Sequence, residues 1–179
     1  MIDYRRIAYS VDFYKKYGFE EFEVPWFVAK EIVDITIPKG NIAFSVSQEQ
    51  WLVGSAEQSF LQLAKEGVLP SGKYQAVTPC FRNEKEDSLH FKYFMKNELI
   101  FVNPSQKMED IELERIIYCA VKFFKSIGLQ PNVIETKIGF DVEHKGIELG
   151  SYGIRECKYM KWIYGTGCAE PRTSIAKSI

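Results

Sequence analysis

The sequence is poor in the groups that most enzymes use to move protons. It has two histidines in 179 residues, and neither belongs to an evident nucleophile–base pair. Cys80, Cys119, Cys157 and Cys168 stand too far apart for a Cys-x-x-Cys pair, and a zinc site built from Cys157, Cys168 and a carboxylate has no support from spacing. MIDYRRIAYS carries no signal-peptide pattern, so the thiols read as reduced and the expected compartment is cytoplasmic. No apolar run approaches the roughly 20 residues of a membrane span. Excess charge is missing too: 23 Lys and Arg face 24 Asp and Glu, a formal net charge of −1. That excludes a dedicated nucleic-acid coat, whose affinity rests on many phosphate contacts, and leaves room for a few cations around one small anion. Repeats, low-complexity stretches and Pro/Ser linkers are absent, so the expectation is a single domain over residues 1–179.

What is present suits a packed core: 46% hydrophobic residues and 15% aromatic ones. Ile7, Ala8, Val11 and Tyr14 recur at helical spacing before Gly18. FEEFEVPWFV alternates like a strand, with Phe22 and Val24 on one face and Pro25 near its end. Ile32 to Val46 reads as loop and short strand around PKGN, and Glu57 to Glu66 as a short helix. KYQAVTPCFRNE and FKYFMKNELIFV, joined by EKEDS, predict a hairpin. Ile111, Ile116, Ala120, Val121 and Phe124 predict a helix ended by Gly128. Strands follow around GIELGSYG and KWIYGTG, and the residues from Arg172 read as helical. Neighbouring antiparallel strands flanked by helices give an α+β fold class with an antiparallel sheet.

The hairpin carries the chemistry. Pleating sends Arg82 and Glu84 to one face of its first strand, and Phe94, Lys96 and Glu98 to one face of its second. Tyr93, Met95, Leu99 and Phe101 form the opposite, core-like face. In GTGCAEPRTS, Gly165 and Gly167 read as the end of a strand, and Arg172 opens a helix, a combination that suits a phosphate. Each residue has a plainer reading. Arg82 and Glu84 also fit a surface ion pair, worth about 0–1 kcal/mol. Phe94 also fits packing, His90 an exposed turn, Glu148 a solvated strand position, and Glu98 a partner for Lys96 or Lys92. Glu170 stands close enough to Arg172 in sequence to neutralise it in part, and His144 reads as surface.

YGFEEFEVP, TPCFRNE…HFKYF and GTGCAEPR, in that order, resemble motifs 1, 2 and 3 of the class II aminoacyl-tRNA synthetases. Within that class the likeness is to seryl-tRNA synthetases and the amino acid:carrier-protein ligases related to them. Ser55-Ala56-Glu57 is similar to the family's Thr-Ala-Glu loop, and FMKNEL to its Phe-x-Lys-x-Glu-Leu. The resemblance implies activation of an amino acid by ATP and Mg²⁺, its carboxylate attacking the α-phosphate. A carboxylate is already ionised at neutral pH, so no general base is needed, and cations and orientation lower the barrier. By motif, Arg82 holds the α-phosphate and the carboxylate, Glu84 accepts from the adenine amino group, Phe94 stacks on adenine, and His90 contacts the γ-phosphate. Arg172 grips the γ-phosphate or the other adenine face. Glu148 and Ser151 resemble the pair that orients Mg²⁺, which requires a bulge near Gly150 to bring them to one face. Ser55, Glu57, Lys96 and Glu98 fall where the family binds the amino acid, Glu98 taking the α-ammonium or a polar side chain.

Motif 1 implies a homodimer interface. The chain is expected to lack the helical tRNA-grasping arm and the anticodon domain, and its motif 2 loop, KEDSL, is short and acidic. Two functions follow. One is an adenylate-forming ligase whose acceptor is a carrier protein or a tRNA, although the carrier-protein ligases' zinc pattern is missing because the Ser55–Glu57 loop holds no cysteine. The other is a non-catalytic synthetase paralogue that binds a ligand or regulates.

Overall fold

Asp3 starts the first helix: its carboxylate accepts from the backbone N–H groups of Arg5 and Arg6, both at 3.1 Å. The structure, a computed structural model, describes residues 1–38 and 40–179, so Lys39 of PKGN lies outside the described residues. Along these the chain runs α1 (Tyr4–Lys15), β1 (Glu20–Glu21), β2 (Phe27–Val28), α2 (Lys30–Thr36), β3 (Trp51–Leu52) and α3 (Ala56–Lys65). It continues through β4 (Gly72–Phe81), β5 (Tyr93–Val102), α4 (Glu109–Ser126), β6 (Asn132–Thr136), β7 (Gly139–His144), β8 (Ile147–Glu156), β9 (Lys161–Glu170) and α5 (Arg172–Lys177).

Seven of these strands form one sheet in the order β1-β4-β5-β9-β8-β7-β6, antiparallel except where β1 meets β4. β2 and β3 pair separately. Alternation along each long strand sends successive side chains to opposite faces, so the sheet has two cores. On one face α1, α4 and α5 bury Tyr14, Ile116, Phe123 and Ala176 against Leu99, Tyr152 and Ile163. On the other, α2 and α3 set Ile32, Phe60 and Leu61 against Tyr74, Ile100 and Trp162. The second face changes character along β5: Ile100 and Val102 lie in that core, whereas Glu98, Lys96 and Phe94 line a cavity at the other end of the strand.

Several expectations need correction. The strand expected from FEEFEVPWFV is broken into two strands of two residues each, β1 and β2, and Phe22 and Val24 reach the second core from the irregular chain between them. Ile32 to Val46 opens with α2 rather than a loop, because Ile32 and Val33 fall on one buried helical face. Gly165 and Gly167 lie inside β9 instead of ending it. Each is there for close approach: a Cβ at Gly165 would stand 2.6 Å from the Tyr152 ring, and one at Gly167 2.9 Å from the Tyr14 ring. Tyr93 and Ile111, expected in the core, are exposed, at the outer ends of β5 and α4. His144 is buried, not surface, and its Nδ1 accepts from the Gln130 N–H at 3.0 Å. β6 and β7 had no counterpart in the sequence reading; β6 is an edge strand with little burial to imprint a pattern.

Phe123 sits at the centre of the first core, fully buried, with edge contacts to Phe13 and Phe124 at centroid distances of 5.5 and 5.2 Å. Phe123→Ala is expected to cost roughly 3–5 kcal/mol, seen as a lower midpoint in denaturant. An unchanged midpoint would show that this face does not hold the fold together.

Candidate functional site

A cavity of about 440 Å³ opens where the second core gives way to polar residues. All eleven residues singled out from the sequence for a site line it or lie on its wall: Ser55, Glu57, Arg82, Glu84, His90, Phe94, Lys96, Glu98, Glu148, Ser151 and Arg172.

The outer end is built by the β4–β5 hairpin. The ladder pairs Phe81 with Tyr93 and is extended by one bond, Arg82 N–H to Lys92 O at 2.9 Å. Arg82 and Glu84 therefore stand just beyond the strand, and it is the loop rather than the pleat that brings them to the same cavity. The Arg82 guanidinium lies over the Phe94 ring, 5.0 Å from its centroid, and its Nε–H reaches Gly54 O at 3.4 Å. Glu84 accepts from Asn41 Nδ2 at 3.2 Å. Arg172, at the first position of α5, donates to Glu148 Oε1 at 3.0 Å and to Leu89 O at 3.4 Å, tying the hairpin loop to β8. Its partner is thus Glu148. Glu170 instead receives Arg6 and Ser174.

The hairpin loop is held by one carboxylate. Asp87 accepts from the N–H groups of Leu89 and His90 at 2.7 and 2.8 Å and meets His90 Nδ1 at 2.8 Å. His90 is half exposed there, an exposed turn residue that also lines the cavity.

The inner end is a buried array of charges. Glu98 Oε2 accepts from the Ser55 hydroxyl and from Lys96, and Lys96 Nζ also reaches Ser55 Oγ at 3.0 Å. Ser55 at the same time caps α3, accepting from Glu57 N–H at 3.2 Å. Glu57 is buried below, its two oxygens taken by Arg155 Nη1 at 2.8 and 2.7 Å and by the Trp162 indole N–H at 2.6 Å. Burial pushes the Glu57 carboxyl up, and Arg155 opposes that. Arg155, Tyr164 and Thr166 line the cavity and were missed from the sequence. The available signal was the two-residue spacing of Trp162, Tyr164 and Thr166, with Arg155 opposite Trp162 in register.

The bulge that Glu148 and Ser151 require is present: Val142 pairs with Gly150 and Glu143 with Glu148, leaving Leu149 unpaired between them. One carboxylate and one hydroxyl on a cavity wall form a donor set that Mg²⁺ takes together with water and phosphate oxygens, so these residues fit the ion. Cys157 and Cys168 pack with opposite faces of the sheet and cannot share a metal. The arrangement can hold a polyanion between guanidinium groups at one end and a cationic group against a carboxylate at the other.

A cavity of this shape on a mostly antiparallel sheet, with motif 2 as a hairpin and motif 3 as a strand leading into a helix, defines a class II aminoacyl-tRNA synthetase-like core, and the chain carries one. No family model matches it. The serine–tRNA ligase of Maricaulis maris (strain MCS10) is 31% identical over 140 residues, covering 69% of this chain and 32% of the ligase. That of Bartonella quintana (strain Toulouse) is 25% identical over 167 residues, covering 86% and 37%. The chain therefore spans about a third of the length of these curated relatives. Among solved structures, the cytoplasmic serine–tRNA ligase of Naegleria fowleri in complex with AMP superposes with a TM-score of 0.75, at 20% identity over 93% of this chain and 51% of that one. Pyrrolysyl-tRNA synthetase from Desulfitobacterium hafniense gives 0.73, at 14% identity over 97% and 68%. At these identities the superpositions establish the fold.

The Leu89 N–H, the His90 side chain and the His90 N–H together hold the Asp87 carboxyl down at about 2. A depressed carboxyl stabilises the loop at every pH above the ordinary carboxylate range near 4, and the stabilisation disappears as pH falls through about 2. Carboxyl-carbon NMR is expected to show Asp87 ionised at pH 3; a midpoint near 4 would show that the loop is not closed in this way.

Proposed function

We propose that the chain activates an amino acid with ATP, forming an aminoacyl-adenylate and pyrophosphate. The observation that carries this reading is that Arg82 and Arg172, just beyond the ends of β4 and β9, the two strands that flank β5, line one open cavity with Phe94 and Glu98. In the proposed step an oxygen of the amino acid carboxylate bonds to the α-phosphorus, and the bridging oxygen between the α- and β-phosphates leaves with pyrophosphate. No proton moves, which suits a cleft where the only histidine among the described residues is paired to Asp87 in an exposed loop. Arg82 lies against Phe94 at the height of the hairpin, in position to carry charge developing at the α-phosphate while the ring takes the adenine face. Arg172 anchors the outer phosphates and Glu84 the adenine amino group. Glu98 keeps one oxygen, Oε1, without a partner among the described residues, and that oxygen takes the α-ammonium. Glu148 and Ser151 would hold Mg²⁺, which neutralises phosphate charge when bound.

The same reading makes α1 and the segment through β2 a homodimer face, supported by the exposed rings of Tyr9, Tyr17, Trp26 and Phe27. The acceptor of the activated amino acid is proposed to be a tRNA or a carrier protein. A second reading, a non-catalytic binding module, is favoured by one observation: the charges of Arg172 and Glu148, and of Lys96 and Glu98, are paired with each other.

Pyrophosphate–ATP exchange with the twenty amino acids separates the two. Exchange with at least one amino acid is expected, reduced roughly 10²–10³-fold by Arg82→Ala. The thermal midpoint should barely move, since among the described residues the only hydrogen bond from that side chain is the long one to Gly54. Absence of exchange with every amino acid, together with absence of ATP binding by calorimetry, would leave only the module.

A further inference from the structure

Arg155 is the one guanidinium in the cavity to which neither the nucleotide nor the motifs give a role. It stands on β8 opposite Trp162, with its side chain about a third exposed (35%). Both protons of Nη1 go to Glu57. Glu57 is thereby consumed as an acceptor, because the Trp162 indole takes it as well. The Nε–H and the two Nη2 protons of Arg155 meet no acceptor among the described residues. The Tyr164 ring, 4.2 Å from the guanidinium carbon, holds the fork flat.

The formal charges of the inner end cancel: Lys96 with Glu98, Arg155 with Glu57. The hydrogen-bonding capacity does not cancel. Unused donors remain on Arg155, an unused acceptor remains on Glu98, and a partly desolvated donor edge is costly unless a ligand completes it. Arg155 and Glu98 line the same cavity, so one small molecule can engage both. An ammonium satisfies Glu98, and a planar pair of oxygens satisfies the Nε–Nη2 edge, the geometry in which guanidinium binds carboxylate through two parallel bonds.

We propose that Arg155 determines amino-acid specificity and that the inner pocket takes an amino acid with a side-chain carboxylate, aspartate or glutamate. As an assignment of substrate class this rests on the adenylation reading; as an assignment of ligand it does not. Glu57 and Trp162 then act as positioning residues, setting the angle of the fork from beneath.

Calorimetric titration of the full chain with aspartate, glutamate, asparagine, glutamine and serine tests the proposal, alongside pyrophosphate exchange with the same five. An acidic amino acid is expected to bind in preference to the other three. Arg155→Lys, which keeps a cation over Glu57 but loses the fork, is expected to weaken that binding roughly 10–100-fold. The paired change Arg155→Met with Glu57→Gln avoids leaving a buried carboxylate alone and should remove the acidic preference in a chain that circular dichroism shows to be folded. Preference for serine or an amide, or acidic binding unchanged in both variants, overturns the assignment. Exchange with a neutral amino acid alone also overturns it and leaves adenylation standing. Acidic binding without any exchange does the reverse, keeping Arg155 as the selector and ending the adenylation reading.

Discussion

Two carboxylates buried beneath the cleft, Glu57 and Glu98, set the terms for everything around them. A buried carboxylate survives only with a cation and further donors at its oxygens, since its desolvation costs several kcal/mol. Glu57 obtains Arg155 and the Trp162 indole, and Glu98 obtains Lys96 and the Ser55 hydroxyl. The four groups that supply these bonds come from β8, β9, β5 and the N-cap of α3, so satisfying two charges ties four elements together at one point.

The remaining architecture follows from a division of labour along the strands. At one end of the second sheet face, Ile100, Trp162 and Phe60 supply an apolar core of the ordinary kind. Further along β5 the same face carries Glu98, Lys96 and Phe94, and two outside elements reach over it. The hairpin loop brings Arg82 and Glu84, and α5 brings Arg172, which bonds both to β8 and to the loop. The opposite face, covered by α1, α4 and α5, is close-packed and largely apolar, so the cleft is built on a filled core.

Much of this was legible along the chain because it is local. The hairpin was legible from two alternating segments and a polar turn, whereas the register that pairs Phe81 with Tyr93 was decided by the fold. The bulge between Glu148 and Ser151 was required by a motif whose spacing conflicts with simple pleating. Elements whose burial depends on distant partners were not legible. The edge strand β6 shows no clean alternation because its residues are mostly exposed, and Gly165 and Gly167 look like a strand end until the rings of Tyr152 and Tyr14 are seen lying against them.

The sequence by itself determined the α+β class, the order of most elements and, through motif order, many of the polar residues that share a cleft, because strand period, helix period and motif spacing act over a few residues at a time. The partners of each charge were decided only in three dimensions. Arg172 faces Glu148 rather than its near neighbour Glu170, which is drawn away by Arg6. Arg155 reaches Glu57 from β8, on the sheet face that α3 covers, and His144 is buried beside Gln130 rather than left in solvent. Electrostatic pairing and desolvation depend on distance through space, and strand order, which brings residues a hundred positions apart into contact, is what sets that distance.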